Sequence, residues 1–189
     1  MKIFTRSIVS SLFVCLLVAP LVHAEFTSVA AGVYLENDVR LQGLDVTIDG
    51  VKVELEGDVT FGSLKIINGG SLSPSASVTD NIDITMHGLE LGSGANFSLT
   101  NFNVLVQGGL IANSNPLTLD NSTLSVQPTV IDQITQWQSI ELKNNSKITH
   151  ASSSGINLGL NWQADTITVD VTSSFDVSGK SQTYGATYA

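Results

Sequence analysis

The chain has 189 residues, with 17 acidic side chains against 8 basic ones, a formal net charge of −9 and one cysteine, Cys15. So few cations exclude a protein that wraps a polyanion, because phosphate neutralisation needs clustered Lys and Arg. A lone cysteine excludes a disulfide framework and a thiolate metal site. Charged residues make up only 13% of the chain, against the roughly 25% usual in soluble domains. Ser, Thr, Asn and Gly fill the gap, and these suit turns and sheet surfaces better than solvated helices.

Residues 1–24 read as a signal peptide. Lys2 and Arg6 precede an apolar run from Ile8 to Val22, and the run ends at Val22-His23-Ala24, a small-residue cleavage site. The run is too short and too interrupted for a transmembrane helix. Cys15 sits too early, behind the bulky Val14, to be a lipidation site. Removal of this segment takes away Lys2 and Arg6, so the net charge falls from −9 to −11, and the mature chain has no cysteine. The exported chain is expected to be periplasmic, cell-surface or secreted, with no transmembrane helix once mature.

Residues 25–58 are expected to form an N-terminal β cap. Within them, Leu44 to Ile48 and Val51 to Leu55 alternate around Asp49-Gly50, the pattern of a β-hairpin. Residues 59–189 carry a repeat. One apolar-x-apolar step recurs at Leu64-Lys65-Ile66, Leu89-Glu90-Leu91, Leu117-Thr118-Leu119, Ile140-Glu141-Leu142 and Ile167-Thr168-Val169, at similar but unequal intervals. A turn-prone stretch follows each step: Asn68-Gly69-Gly70, Gly92-Ser93-Gly94, Asp120-Asn121-Ser122, Lys143-Asn144-Asn145, and Asp170 to Ser173. Then come Ser71-Leu72, Asn96-Phe97, Thr123-Leu124, Lys147-Ile148 and Ser174-Phe175. Further alternating strands, Val59-Thr60-Phe61, Ile82-Asp83-Ile84 and Leu158-Gly159-Leu160, lie upstream. The best helical stretch, Val130 to Trp137, is too short to count.

Three short strands per unit, separated by corners, are the grammar of a β-solenoid rung. A rung of roughly 20–28 residues cannot bury its own apolar face, so rungs stack and hydrogen-bond to those above and below. The expectation is therefore an all-β parallel β-helix of roughly six rungs, about 30 Å long at the ~4.8 Å strand spacing. A β-sandwich is the alternative, but Asn-Gly and Asp-Gly turns are scarce for it.

The run Ser173-Ser174-Phe175-Asp176-Val177-Ser178-Gly179-Lys180, leading toward Tyr184, resembles a rung of the large bacterial secreted and surface β-helix proteins of the filamentous-haemagglutinin and autotransporter-like type. The resemblance implies a right-handed parallel β-helix in an exported, adhesive or structural protein, and brings no catalytic residues with it. Those proteins run to many hundreds of residues, so the chain is expected to be an N-terminal fragment or truncated relative of a longer one.

Few groups offer chemistry. Asp45, Asp49 and Asp58, with Glu54 and Glu56, supply the oxygen ligands of a Ca²⁺ site, but they alternate along strands, which points to a solvated face. No other cofactor is expected. His87 and His150 stand alone, at surface or corner positions. The only mature arginine is Arg40, and the Asn-Thr-Asp, Asp-Asp and Gly-His-Gly phrases of polysaccharide-cleaving β-helices are missing. Trp137 and Trp162 are separated by close to one repeat, so they are expected to stack on adjacent rungs as packing or as a sugar platform. Asn96, Asn121 and Asn144 match the N-glycosylation pattern; in corners their side chains have the simpler task of bonding the backbone. The functional expectation is a non-enzymatic adhesin-like solenoid with a carbohydrate or cell-surface partner. A carbohydrate-active β-helix, lyase-like, hydrolase-like or sugar-binding, is the alternative.

Overall fold

The computed structural model describes residues 25–127, 134–150 and 160–176. Residues 1–24, expected to be a signal peptide, most of Leu158–Leu160 and the stretch toward Tyr184 lie outside the described residues. All regular structure described is β-strand. In chain order the strands are β1 (Thr27–Ser28), β2 (Gly32–Tyr34), β3 (Val46–Asp49), β4 (Lys52–Leu55), β5 (Val59–Ile67), β6 (Ser71–Pro74), β7 (Ile82–Leu91), β8 (Phe97–Thr100), β9 (Phe102–Val106), β10 (Leu110–Ile111), β11 (Asn115–Asp120), β12 (Thr123–Val126), β13 (Ile134–Lys143), β14 (Lys147–His150), β15 (Asn161–Val169) and β16 (Ser174–Asp176).

Among the described residues every strand pairing is parallel, and the strands stack as a β-solenoid of about six turns. The registers resolve three walls. One wall runs through β1, β3, the second halves of β5 and β7, and β10, with Val46, Leu64, Leu89 and Leu110 in register. The first halves of β13 and β15 continue it, tied on where the Thr135 hydroxyl donates to the Leu110 carbonyl at 3.4 Å. A second wall runs from the first halves of β5 and β7 through β9, β12, β14 and β16. The third stacks β2, β4 and β6, against which lie β8, β11 and the second halves of β13 and β15.

Apolar residues at alternate positions fill the interior. Phe61, Phe97, Phe102, Ile48, Leu64, Ile66, Leu89 and Leu91 are all buried. The period-2 pattern read in the sequence is thus the inward face of each wall.

Corners are built mainly from asparagine. Among the described residues, eight that are not glycine have left-handed backbone, and all of them but Ser114 are Asn. Asparagine tolerates this conformation better than other side-chain-bearing residues, and its amide can bond the rung beside it. Asn68, for example, donates its amide to Asp49 Oδ1 at 2.7 Å.

Two sequence expectations are corrected in detail. Asp49-Gly50 is not a hairpin turn: β3 pairs with β1 and β5, whereas β4 pairs with β2 and β6. Gly50 has φ +63° and donates its N–H to the Ile67 carbonyl at 3.1 Å, which makes it a solenoid corner. A left-handed glycine serves a type I′ turn and a corner equally well, so the dipeptide alone does not distinguish them. Stacking therefore begins at Thr27, inside the stretch expected to be a cap. The second correction concerns alignment. Leu64 and Leu89 share one wall, while Leu117, Ile140 and Ile167 share another. The rung after Leu89 places Leu110 over it, and Leu117 follows Phe97.

At the N-terminal end, Asp38 accepts from Arg40 Nε at 2.9 Å, and the guanidinium lies 4.3 Å from the centre of the Tyr34 ring. The hydrogen bonds from the Arg40 side chain and then its backbone N–H hold the Asp38 carboxyl at about 2, below its ordinary 3.8. A carboxyl depressed in the fold contributes stability above its unfolded value and loses it as pH falls. The N-terminal turn is therefore expected to loosen between 3.8 and about 2, and Asp38→Asn to remove part of that acid sensitivity. Hydrogen exchange of the Asn37 and Leu41 amides across an acid series reads this directly.

Candidate functional surface

The outward face of the second wall carries two long rows of mainly polar side chains, the second interrupted only by Leu105. The registers align Asp83, Asn103, Thr123, Lys147 and Ser174 in one row, and Thr60, Thr85, Leu105, Ser125, Thr149 and Asp176 in the next. Each row steps by one rung, about 4.8 Å. Asp83, Thr85, Asn103, Leu105, Thr123 and Ser125 line a shallow open groove of about 350 Å³ across three of these rungs. The groove offers one carboxylate, one amide, three hydroxyls and a single apolar side chain.

Hydrogen bonds across rungs fix this face. Asn103 donates its amide to Asp83 Oδ1 at 2.9 Å, and Asp83 donates its backbone N–H to Asp58 Oδ1 at 2.8 Å. At the flanking corner, the Asn121 amide donates to Asn101 Oδ1 at 2.8 Å, and Asn81 donates to the Asn121 carbonyl at 3.1 Å. Beneath them runs a serine ladder. Phe102 N–H donates to Ser122 Oγ at 3.0 Å, Ser122 N–H to Ser146 Oγ at 3.2 Å, and Ser146 N–H to Ser173 Oγ at 3.0 Å. Ser122 and Ser146 are buried, so each hydroxyl satisfies a backbone group that the corner leaves without a ladder partner. Farther along, the Asn144 backbone N–H, with hydrogen bonds from Ser173 and Thr172, holds the Asp170 carboxyl well below the usual carboxylate range.

The residues singled out as Ca²⁺ ligands do not converge. Asp49 is engaged by Asn68 and Asp58 by the Asp83 backbone, at different corners. Asp45 lies against Gly62, and Glu54 pairs with Lys52 at 2.7 Å. Among the described residues, no group of three His, Cys, Asp or Glu is placed to hold a metal ion. His87 is exposed at the bend of β7, as expected. His150, expected at a surface or corner, is buried in β14 in register with Val126; it falls on the inward phase of the alternation.

The five described cations each sit within 4 Å of a carboxylate: Arg40 with Asp38, Lys52 with Glu54, Lys65 with Glu90, Lys143 with Glu141, and Lys147 with Asp176. This distribution leaves the surface acidic, with its positive charge locally neutralised.

Trp137 and Trp162 do meet on adjacent rungs, with ring centres 5.4 Å apart and planes tilted by 53°. Trp137 is only 2% exposed and the half-buried Trp162 packs against the core, so the Trp137 ring serves packing. Its indole Nε1 is buried without a hydrogen-bond partner among the described residues. A buried unpaired donor costs about 1–3 kcal/mol, and removing it offsets much of the volume lost on truncation. Trp137→Phe is therefore expected to change stability by no more than about 1 kcal/mol, whereas Trp137→Ala loses about 3–5 kcal/mol. Urea denaturation followed by Trp162 fluorescence distinguishes the two.

The face of Asp83, Asn103 and Thr123 was not singled out in the sequence. The signal was present, since each occupies the polar phase of an alternating strand, but their adjacency depends on rung register. No protein-family model matches the chain, and neither a curated protein nor a solved structure does so.

Proposed function

We propose that this chain is a non-enzymatic, exported solenoid segment of the adhesin-like kind, carried out of the cytoplasm by residues 1–24. It works by presenting a stiff, acidic surface rich in hydroxyls and amides to a carbohydrate or cell-surface partner. The observation that supports this reading is the pair of polar rows on the second wall, pre-set by cross-rung hydrogen bonds. Side chains already held in place lose little conformational freedom on binding, which favours recognition by a rigid face. The acidic surface, with its described cations already paired, disfavours nucleic acid and anionic membranes as partners.

The experiment has two arms. The protein is applied to glycan arrays and intact cells, alongside the double variant Asp83→Ala/Asn103→Ala. Saturable binding that the double variant weakens is the expected result, and unchanged binding by the variant would remove the second wall from the proposal. In parallel, incubation with acidic polysaccharides is expected to release no unsaturated or reducing products. Clear turnover would overturn the non-enzymatic reading in favour of a carbohydrate-active β-helix.

A further inference from the structure

The corner between the first and third walls holds Asn68-Gly69, the single Asn-Gly pair in the sequence. Both residues are exposed and left-handed, with φ of 53° and 78°. Three hydrogen bonds pin them. The Asn68 amide donates to Asp49 Oδ1 at 2.7 Å, the Asn68 N–H to the Ser93 carbonyl at 3.0 Å, and the Gly69 N–H to the Gly94 carbonyl at 3.1 Å.

An asparagine amide is chemically exposed to the backbone nitrogen that follows it. That nitrogen, on losing its proton, attacks Cγ; the bond from Cγ to the side-chain nitrogen breaks and ammonia leaves, which closes a five-membered imide. Water then opens the imide at either carbonyl, giving aspartate or isoaspartate. No oxidant or enzyme is required. Glycine in the following position favours the reaction because it has no side chain to obstruct the ring. The other asparagines precede larger residues, such as Phe102 after Asn101, Ser122 after Asn121 and Pro116 after Asn115.

We propose that Asn68 is the covalent ageing site of this protein, and that the stacked corner is what holds the reaction off. Attack requires Gly69 to release Gly94 and the Asn68 amide to release Asp49, so in the folded state the reaction waits on local opening. Conversion is one-way. The new carboxylate would face that of Asp49 across the 2.7 Å now spanned by the amide, and an isoaspartate linkage adds a backbone atom to the corner. Either product prevents the corner from closing as before, so each opening that ends in reaction leaves a weaker rung.

Peptide mapping by mass spectrometry tests this at mildly alkaline pH, in buffer and in urea. In urea, amide-to-acid conversion is expected to concentrate at Asn68. In buffer it is expected to run at least about tenfold slower at that residue, as gating by opening requires. Asp49→Ala, which removes an exposed anchor, is expected to speed conversion in buffer and leave the rate in urea unchanged. Conversion at Asn68 equally fast in buffer and urea, conversion in urea spread evenly over the other asparagines, or no acceleration by Asp49→Ala would each overturn the proposal.

Discussion

Phe102→Ala is expected to lower the stability of the solenoid by about 3–5 kcal/mol. Phe102 is fully buried at the start of β9, in register with Ile82. Truncation removes its transfer energy and leaves a cavity that a stacked fold cannot collapse, because the rungs on either side hold the spacing. The backbone N–H keeps its bond to Ser122 Oγ, so the loss isolates packing from hydrogen bonding. In a solenoid each rung contacts only its neighbours, and stability is close to a sum of rung and interface terms. A defect in a central rung weakens two interfaces at once. Urea unfolding should therefore shift to a lower midpoint and lose steepness as the two ends begin to melt separately. A lower midpoint at unchanged slope would instead mean that the rod unfolds as one unit.

Gly108→Ala is expected to cost about 1–3 kcal/mol or more, whereas Gly109→Ala, one position on, is expected to stay within about 0.5 kcal/mol. A Cβ on Gly108 would stand 2.2 Å from the His87 carbonyl oxygen of the rung beside it, while a Cβ on Gly109 would meet nothing within 4 Å. The His87 oxygen is backbone, and its neighbours Met86 and Gly88 are in register with Phe61 and Ser63 of the rung before, which leaves it little freedom to retreat. Relief requires the two rungs to separate at this bend, which loosens the neighbouring Gln107 N–H to Met86 carbonyl bond, now 2.8 Å. Thermal unfolding of the two variants side by side checks the prediction; equal effects would show that the bend is soft.

Both predictions depend on which residue lies over which, and this is where sequence and structure part. The strands at Leu64–Ile66, Leu89–Leu91, Leu117–Leu119 and Ile140–Leu142 were legible because alternation marks a half-buried strand wherever it occurs. The assignment of Leu89 and Leu117 to one stack failed because the apolar-x-apolar step is the same on all three walls. With corners of variable length, spacing cannot count walls: the interval from Leu89 to Leu117 contains one full rung, ending at Leu110, and then the passage onto the next wall. The same ambiguity turned the Asp49-Gly50 corner into an expected hairpin. The Trp pair was legible through its repeat-like spacing, but its burial was not, since only the fold decides which phase of β13 faces inward. The polar rows of Asp83, Asn103 and Thr123 could not be assembled without the register for the same reason.

By itself the sequence determined the all-β character, the alternating inward faces, the corners at Asn and Gly, and the need for rungs to stack, because each of these follows from local side-chain chemistry within a few residues. Wall assignment, rung register and the polar surface those registers create were decided only in the tertiary structure. Parallel pairing joins residues a whole rung apart along the chain, and the choice among equivalent partners is made by how long a corner is when folded, a quantity that no single segment carries.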